Sequence, residues 1–296
     1  MSLVVNTNVA SMNAQRSLMH SSRELQTAME RLSTGKKINS AADDAAGFAI
    51  AESMTAQIRG LSMAAKNASD GLSLLKVVEN ATNDVTDMLQ RIRELAVQAK
   101  SGTNSSNDVG NLQLEADALM DEITRVSDNT TFNGVTYIGS GAGEVSIQVG
   151  YNDNDSIGIT TYSVSATALG LRSEGTAEVA EVTDDDGNVT TPYAAAVPAS
   201  NLDITSDDAL DTISDAINTV GGYKAEWGAG QNRLEYTVSN LMNVVEFTSA
   251  ARSRIQDADF AVEAARLAKS QVLQQTGTAM LAQANASPQL AISLIS

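Results

Sequence analysis

The chain is 296 residues long, 43% hydrophobic but only 4% aromatic, and carries a formal net charge of −17 with no cysteine. So few rings argue against a thick globular core, the missing thiols exclude disulfides and thiolate metal sites, and the excess of acid disfavours nucleic acid as a partner. No run of 18 apolar residues occurs, which excludes a membrane-inserted helix, and the first basic residue is Arg16, so no ordinary secretory signal is expected.

At the N-terminal end Val5, Val9 and Met12 are spaced four then three apart, and Leu18, Leu25 and Leu32 follow at intervals of seven with Met29 between them. Stripes of that period predict an amphipathic helix that meets another helix. Ser33-Thr34-Gly35 breaks the pattern, and Asn39-Ser40 leads into Asp43-Asp44, which reads as a linker followed by an acidic helix start. From there to about Lys100 no proline intervenes. Ile58, Leu61, Ala65, Ala68, Leu72 and Leu75 keep a 3/4 spacing, and Val78, Val85, Leu89, Ile92, Ala96 and Ala99 continue it after one three-residue step. The step predicts a phase shift within one coiled-coil helix of roughly 85 Å.

Residues 101–111 are rich in Ser, Asn and Gly and predict a turn. Leu112, Ala116, Leu119, Ile123 and Val126 predict a second helix, which stops near the tight turn at Asn133-Gly134. Val145, Ile147 and Val149 alternate, as do Ile157 and Ile159, with Tyr151–Asp155 between them: a β-hairpin. Residues 171–204 lack periodicity, hold two prolines and read as an exposed insertion with short strands. Nine acidic groups against Arg172 give residues 171–208 a charge of −8. From Leu210 to Ile255 apolar residues, Trp227, Leu234 and Leu241 among them, recur at three-then-four spacing, with Lys224, Gln231 and Arg252 at seam positions. Four glycines fall inside this register without interrupting it, so one helix is predicted. The C-terminal stretch repeats the design of the first, with Phe260 and Leu267, then Leu273 and Met280, seven apart, and Leu281 beside Met280.

Charge separates the ends from the middle: residues 1–37 carry +3 and residues 251–296 carry +1, leaving −21 for residues 38–250. The catalytic inventory is thin. His20 is the sole histidine and lies within an amphipathic segment, so neither a Ser-His-Asp triad nor a histidine metal cluster can be built. Asp184–Asn188 lacks the glycine and distal glutamate of a calcium loop, and Asp153-Asn154-Asp155 reads as a solvated turn. No phosphate-binding glycine motif is present. The expectation is no enzymatic activity, no cofactor and no metal.

The strings at both ends resemble those of bacterial flagellin, the subunit of the flagellar filament. They run through Asn6-Thr7-Asn8, Arg31-Leu32-Ser33-Thr34-Gly35, Ile38–Gly47, Gln90–Gln98 and Thr131–Gly134 in the N-terminal half. Gln231–Glu235, Ala251–Ile255, Asp257–Ala261 and Leu281–Asn285 carry it in the C-terminal half. Together they cover about residues 1–170 and 205–296.

The resemblance implies a mainly α fold: an antiparallel helical hairpin and coiled-coil bundle with a small β-hairpin and a short central insertion. Residues 1–42 are expected to form the N-terminal half of an inner-tube domain with its spoke, and 43–170 the first part of a core domain. Residues 171–204 would be a reduced outer excursion, 205–250 the C-terminal core helix, and 251–296 the second spoke and inner-tube half. The implied function is a structural subunit that is exported unfolded through the flagellar type III channel and self-assembles outside the cell for motility, its ends disordered until it adds to the polymer. Expected partners are identical subunits, the filament cap, hook-associated junction proteins, a cytoplasmic export chaperone on the C-terminal segment, and a host Toll-like receptor through Arg91, Leu95 and Glu115. No nucleic acid and no membrane insertion are expected. A hook–filament junction protein and a monomeric secreted helical adhesin are the alternatives.

Overall fold

The computed structural model describes residues 7–173, 182–183, 189–191 and 200–293, with backbone alone for the insertion strands and for 288–293. It contains helices α1 (Val9–Thr34), α2 (Ala45–Ala99), α3 (Ser106–Asn129), α4 (Ala209–Gln256) and α5 (Phe260–Ser293), and strands β1 (Glu144–Gln148), β2 (Ser156–Thr160), β3 (Val182–Thr183) and β4 (Val189–Thr191). Two compact units result, one from residues 1–59 with 244–296, the other from residues 60–243. Their boundaries fall inside α2 and α4, whereas the family resemblance places the breaks at 42/43, between α1 and α2, and at 250/251, within α4. Helix continuity hides the division: α2 runs unbroken through Gly60 at the change of unit, and no glycine or proline marks the change at 243/244 in α4.

Local chemistry sets the helix ends. Asn8 accepts the Ser11 amide at 3.0 Å and starts α1, and Gly35 ends it in the left-handed region at φ 70°, donating its amide to the Arg31 carbonyl. Between α1 and α2 the Asp43 carboxylate accepts the amides of Ser40 and Asn39, both at 3.0 Å. Those bonds, Ser40 first, hold its pKa below the ordinary carboxylate range. Asp44 takes the Gly47 amide at 3.0 Å at the start of α2. Ser105 and Asp108 form a reciprocal capping box at α3.

In the unit formed by residues 60–243, α2, α3, α4 and the β1–β2 hairpin share one core. Along α2 the buried positions 61, 64, 68, 71, 75, 78, 82, 85, 89, 92, 96 and 99 make an unbroken alternation of three and four, with Leu74, Ala81 and Leu95 buried beside them. The predicted phase shift is therefore absent. The seam passes through Ala64, Gly71 and Thr82, small residues that carry little hydrophobic signal, while Leu72 sits half-buried beside it. Gly71 is small for a reason: a Cβ there would lie 2.2 Å from the Ile147 Cδ1, so its absence lets the hairpin settle onto α2. Asn67 donates to the Gln148 carbonyl at 3.2 Å along the same line.

The hairpin is antiparallel, with Val145 opposite Ile159 and Ile147 opposite Ile157, and turns its Ile147, Ile157 and Ile159 side chains inward. Trp227 of α4 is buried and donates its indole N–H to the Thr160 carbonyl at 2.9 Å. Tyr162 stacks on Tyr223 with ring centroids 4.1 Å apart. Lys224 reaches Asn83 at 2.6 Å and Gln231 reaches Glu79 at 2.8 Å, so two polar seam residues of α4 pair with α2 in antiparallel order. In the unit containing the termini, Arg252 of α4 likewise donates to Thr55 of α2 at 3.2 Å.

The insertion leaves and rejoins this core through a bonded neck. Ser173 N donates to the Ser200 carbonyl and Leu202 N to the Leu171 carbonyl, each at 2.9 Å, while Gln113 of α3 bonds both Leu202 O and Ile204 N. Arg172 pairs with Asp121 and Asn201. Beyond the neck β3 and β4 pair antiparallel; the Asp184–Asn188 run lies outside the described residues.

The continuous register makes a quantitative expectation. Leu75→Ala empties a fully buried seam position and should cost roughly 2–5 kcal/mol. Leu72→Ala, one step off the seam, should cost clearly less. Urea unfolding of both variants checks the order; a larger loss at Leu72 would restore the phase shift.

Candidate functional surface on the terminal helices

Helices α1 and α5 run antiparallel and approach closely along their length. The positions turned toward the pair are Ser11, Ala14, Leu18, Ser21, Leu25, Ala28 and Leu32 on α1 and Glu263, Leu267, Ser270, Gln274, Gly277, Leu281 and Ala284 on α5. Both series step by three and four, the a/d spacing of a coiled coil. More than half of these residues are small or polar, which is what permits the close approach. Gly277 shows how tight it is, since a Cβ there would stand 3.3 Å from the Leu18 Cδ1.

Polar contacts fix the alignment at both ends. Asn8 donates to the Ala284 carbonyl at 2.7 Å and Ser11 to the Asn285 side chain at 2.8 Å. At the other end the buried Glu263 carboxylate accepts from Arg31 at 3.3 Å and from Arg266 at 2.8 Å, both through the same oxygen. The chain around it is stitched in β fashion: Lys37 N donates to the Gln256 carbonyl at 2.7 Å and Ala258 N to the Gly35 carbonyl at 2.9 Å. Asp259 caps α5 by accepting the Ala261 amide at 2.8 Å.

The sequence-predicted residues divide between two faces. Leu18, Leu25, Leu32, Leu267 and Leu281 line the seam, half-buried. Val9, Met12, Met29, Phe260, Leu273 and Met280 are exposed, and Met19, Val262 and Val272 join them; Val5 lies outside the described residues. Nine large apolar side chains therefore point away from the pair, while five leucines share its seam with serines, alanines and a glycine. Ser11, Ser21, Ala28, Glu263, Ser270, Gly277 and Ala284 went unread in the sequence because a search for apolar stripes passes over small and polar residues. Their signal was the unbroken 3/4 spacing.

On the other unit, Leu61, Leu75, Leu89, Ile92, Ile123, Trp227, Leu234 and Leu241 are buried, and Ile157 and Ile159 meet them from the hairpin. Leu119 is half-buried there, as is Ile58 in the terminal unit. Arg91 and Glu115 are exposed partners: the guanidinium Nε donates to Glu115 at 2.9 Å and Nη1 to Glu94 at 3.0 Å. Its hydrogen bonds to Glu115 first, then to Glu94, raise the Arg91 pKa above its ordinary value. Leu95 is buried in the core, so it can act on that surface only by supporting α2 from beneath.

Glu263 gives the seam a testable lock. Removing its charge leaves two arginines facing a neutral amide in place of their shared carboxylate, a loss on the order of 3 kcal/mol where the pair is buried. Glu263→Gln is expected to lower amide protection over residues 11–32 and 263–284 by roughly a hundredfold, read by hydrogen exchange, with residues 75–96 unchanged.

Comparison with known proteins bears on these helices directly. The bacterial flagellin N-terminal helical region matches residues 5–138 and the bacterial flagellin C-terminal helical region matches residues 210–295. The chain is 42% identical over 312 residues to a flagellin of Xenorhabdus nematophila, covering all of both chains. It is 39% identical over 303 residues to a flagellin of Bacillus subtilis strain 168, covering 98% of this chain and 99% of that one. Flagellin A of Vibrio cholerae is 36% identical over 378 aligned residues, again with both chains covered in full. With both helical regions matched and whole-chain identity at this level, the chain belongs to the bacterial flagellin family.

Proposed function

We propose that this chain is the structural subunit of a bacterial flagellar filament and that it polymerises with identical copies through the outward apolar face of α1 and α5. The observation that carries the reading is the set of large apolar side chains that the pair leaves outside its seam of leucines and small or polar residues: Val9, Met12, Met19, Met29, Phe260, Leu273 and Met280. An isolated pair would keep these side chains in water, and large apolar groups exposed in such number mark an interaction site. Copies of the same chain are the occupant the family membership favours. The terminal segments, slightly basic against a strongly acidic middle, support the same polarity of packing.

The finer parts of the reading follow from family membership and from chemistry. Export through the flagellar type III channel suits a chain without cysteine, which needs no oxidative folding step. A cytoplasmic chaperone would shield the exposed face of α5 before export, and the cap and hook-associated junction proteins would meet the same face at the two ends of the polymer. The core unit, with Arg91 clamped between Glu94 and Glu115, supplies an axial contact surface. The reading assigns the protein no catalytic role and no cofactor. Among the described residues no helix is long and apolar enough to cross a membrane.

Deleting residues 1–35 or 257–296 should leave a folded core that stays monomeric when seeded with fragments of the full-length polymer. Electron microscopy of the seeded mixtures decides: normal filaments from either truncation would end the proposal. The Arg91 cluster carries a second expectation. A host Toll-like receptor that reads this surface should lose at least tenfold in response to purified monomer on Arg91→Ala, because arginine is favoured at binding hot spots. A reporter assay in which wild type gives no signal, or in which both proteins signal equally, would remove that partner.

A further inference from the structure

Sulfur on this molecule has an uneven distribution. With no cysteine, its ten methionines hold all of its oxidisable sulfur. Among the described residues six methionines are exposed: Met12 at 53%, Met19 at 67% and Met29 at 55% on α1, Met280 at 63% on α5, and Met63 at 57% and Met242 at 63% on α2 and α4. Met12 and Met19 are one heptad apart and share a helix face. Met120, by contrast, is fully buried in the core. The thioether is apolar and adaptable, suited to a surface that must fit several neighbours. Two-electron oxidation converts it to a sulfoxide, polar and chiral, with an acceptor oxygen that a dry interface leaves unpaired.

Resting on the filament-subunit reading, we propose that Met12, Met19, Met29 and Met280 form a peroxide-sensitive modification site that stops the free chain from polymerising, and that burial in the polymer protects. The step balances with hydrogen peroxide as oxidant: the sulfur lone pair attacks one peroxide oxygen, the O–O bond breaks, the sulfur becomes S=O and water leaves. No other co-reactant is required. Reversal is catalysed by enzymes of the methionine sulfoxide reductase class with a dithiol as reductant: the dithiol becomes a disulfide, the sulfoxide oxygen leaves as water and the thioether is regenerated. The site thus couples the oxidant history of a monomer to its entry into the polymer while leaving filaments already built intact.

The test uses full-length purified chain, hydrogen peroxide and seeds of its own polymer. Peptide mass spectrometry of treated monomer should find sulfoxide at the four positions and an unoxidised Met120. In polymer treated alike, the four should stay reduced. Oxidised monomer should extend seeds at least tenfold more slowly than untreated monomer, by light scattering and pelleting, and incubation with both sulfoxide reductases and dithiothreitol should restore the rate. A variant carrying M12L, M19L, M29L and M280L keeps exposed Met63 and Met242; it should extend seeds with and without peroxide. Unchanged extension by oxidised wild type overturns the proposal. So does a fourfold-leucine variant that assembles untreated but is blocked by peroxide. If that variant cannot assemble at all, single leucine substitutions decide, each expected to relieve part of the peroxide block; no relief from any of the four overturns it. Untreated wild type that ignores its own seeds would instead overturn the filament-subunit reading, a separate result.

Discussion

The rest of the terminal unit depends on how closely α1 and α5 approach. Serine, alanine and glycine at the seam bring the two backbones together, and each small residue that closes the pair frees a larger one for the outside. Bulky knobs would have produced a self-sufficient two-helix coil with a polar exterior. Here the exterior is apolar and the interior modest. Gly277 against Leu18 and the shared Glu263 oxygen between Arg31 and Arg266 then set which residues meet. Its leucines stay half-buried, so directional contacts add what burial alone leaves unset in the alignment.

The unit of residues 60–243 solves the opposite problem. Its α2, α3 and α4 seams set fully buried Leu, Ile, Met and Trp among alanines, and the hairpin closes over the gap left by Gly71. Its large apolar side chains are thus covered within the unit itself. Lys224 with Asn83 and Gln231 with Glu79 add register at the margin, each pairing a polar α4 residue with one on α2. Polar groups at such positions select one alignment at some expense in stability. The insertion neck works likewise: Gln113, Arg172 and Asn201 close the core beneath the excursion, so the core does not depend on what lies beyond it.

Sequence pattern gave away most helix bounds, the hairpin and the turn at Asn133-Gly134, because each rests on spacing or on residues with strong local preferences. The continuity of α4 through Gly221, Gly222, Gly228 and Gly230 was also legible, since the apolar register never slipped. What escaped was carried by residues that hydrophobicity does not score. Ala64, Gly71 and Thr82 kept the α2 register where a stripe of leucines seemed to step aside, and the α1–α5 seam was written in Ser and Ala. Leu95 illustrates the converse error. Its motif placed it with Arg91 on a surface, but a residue four positions on lies one turn up and about 40° further round the helix, and on α2 that rotation carries Leu95 across the edge of the buried seam while Arg91 stays outside it.

Magnitudes explain why such a face should serve a polymer rather than a dimer. Nine large apolar side chains of α1 and α5 are exposed among the described residues. Each is already partly covered, so burying the remainder is worth about 1 kcal/mol apiece, half or less of the full burial value. The whole face therefore offers on the order of 10 kcal/mol, inside the roughly 4–15 kcal/mol that fixing one protein against another costs. One neighbour covering part of the face yields no surplus. Several neighbours covering all of it, while the subunit is immobilised only once, do. Growth at an existing end should then be favourable where the first encounter between two free chains is not, and a subunit can stay dispersed until it meets a seed.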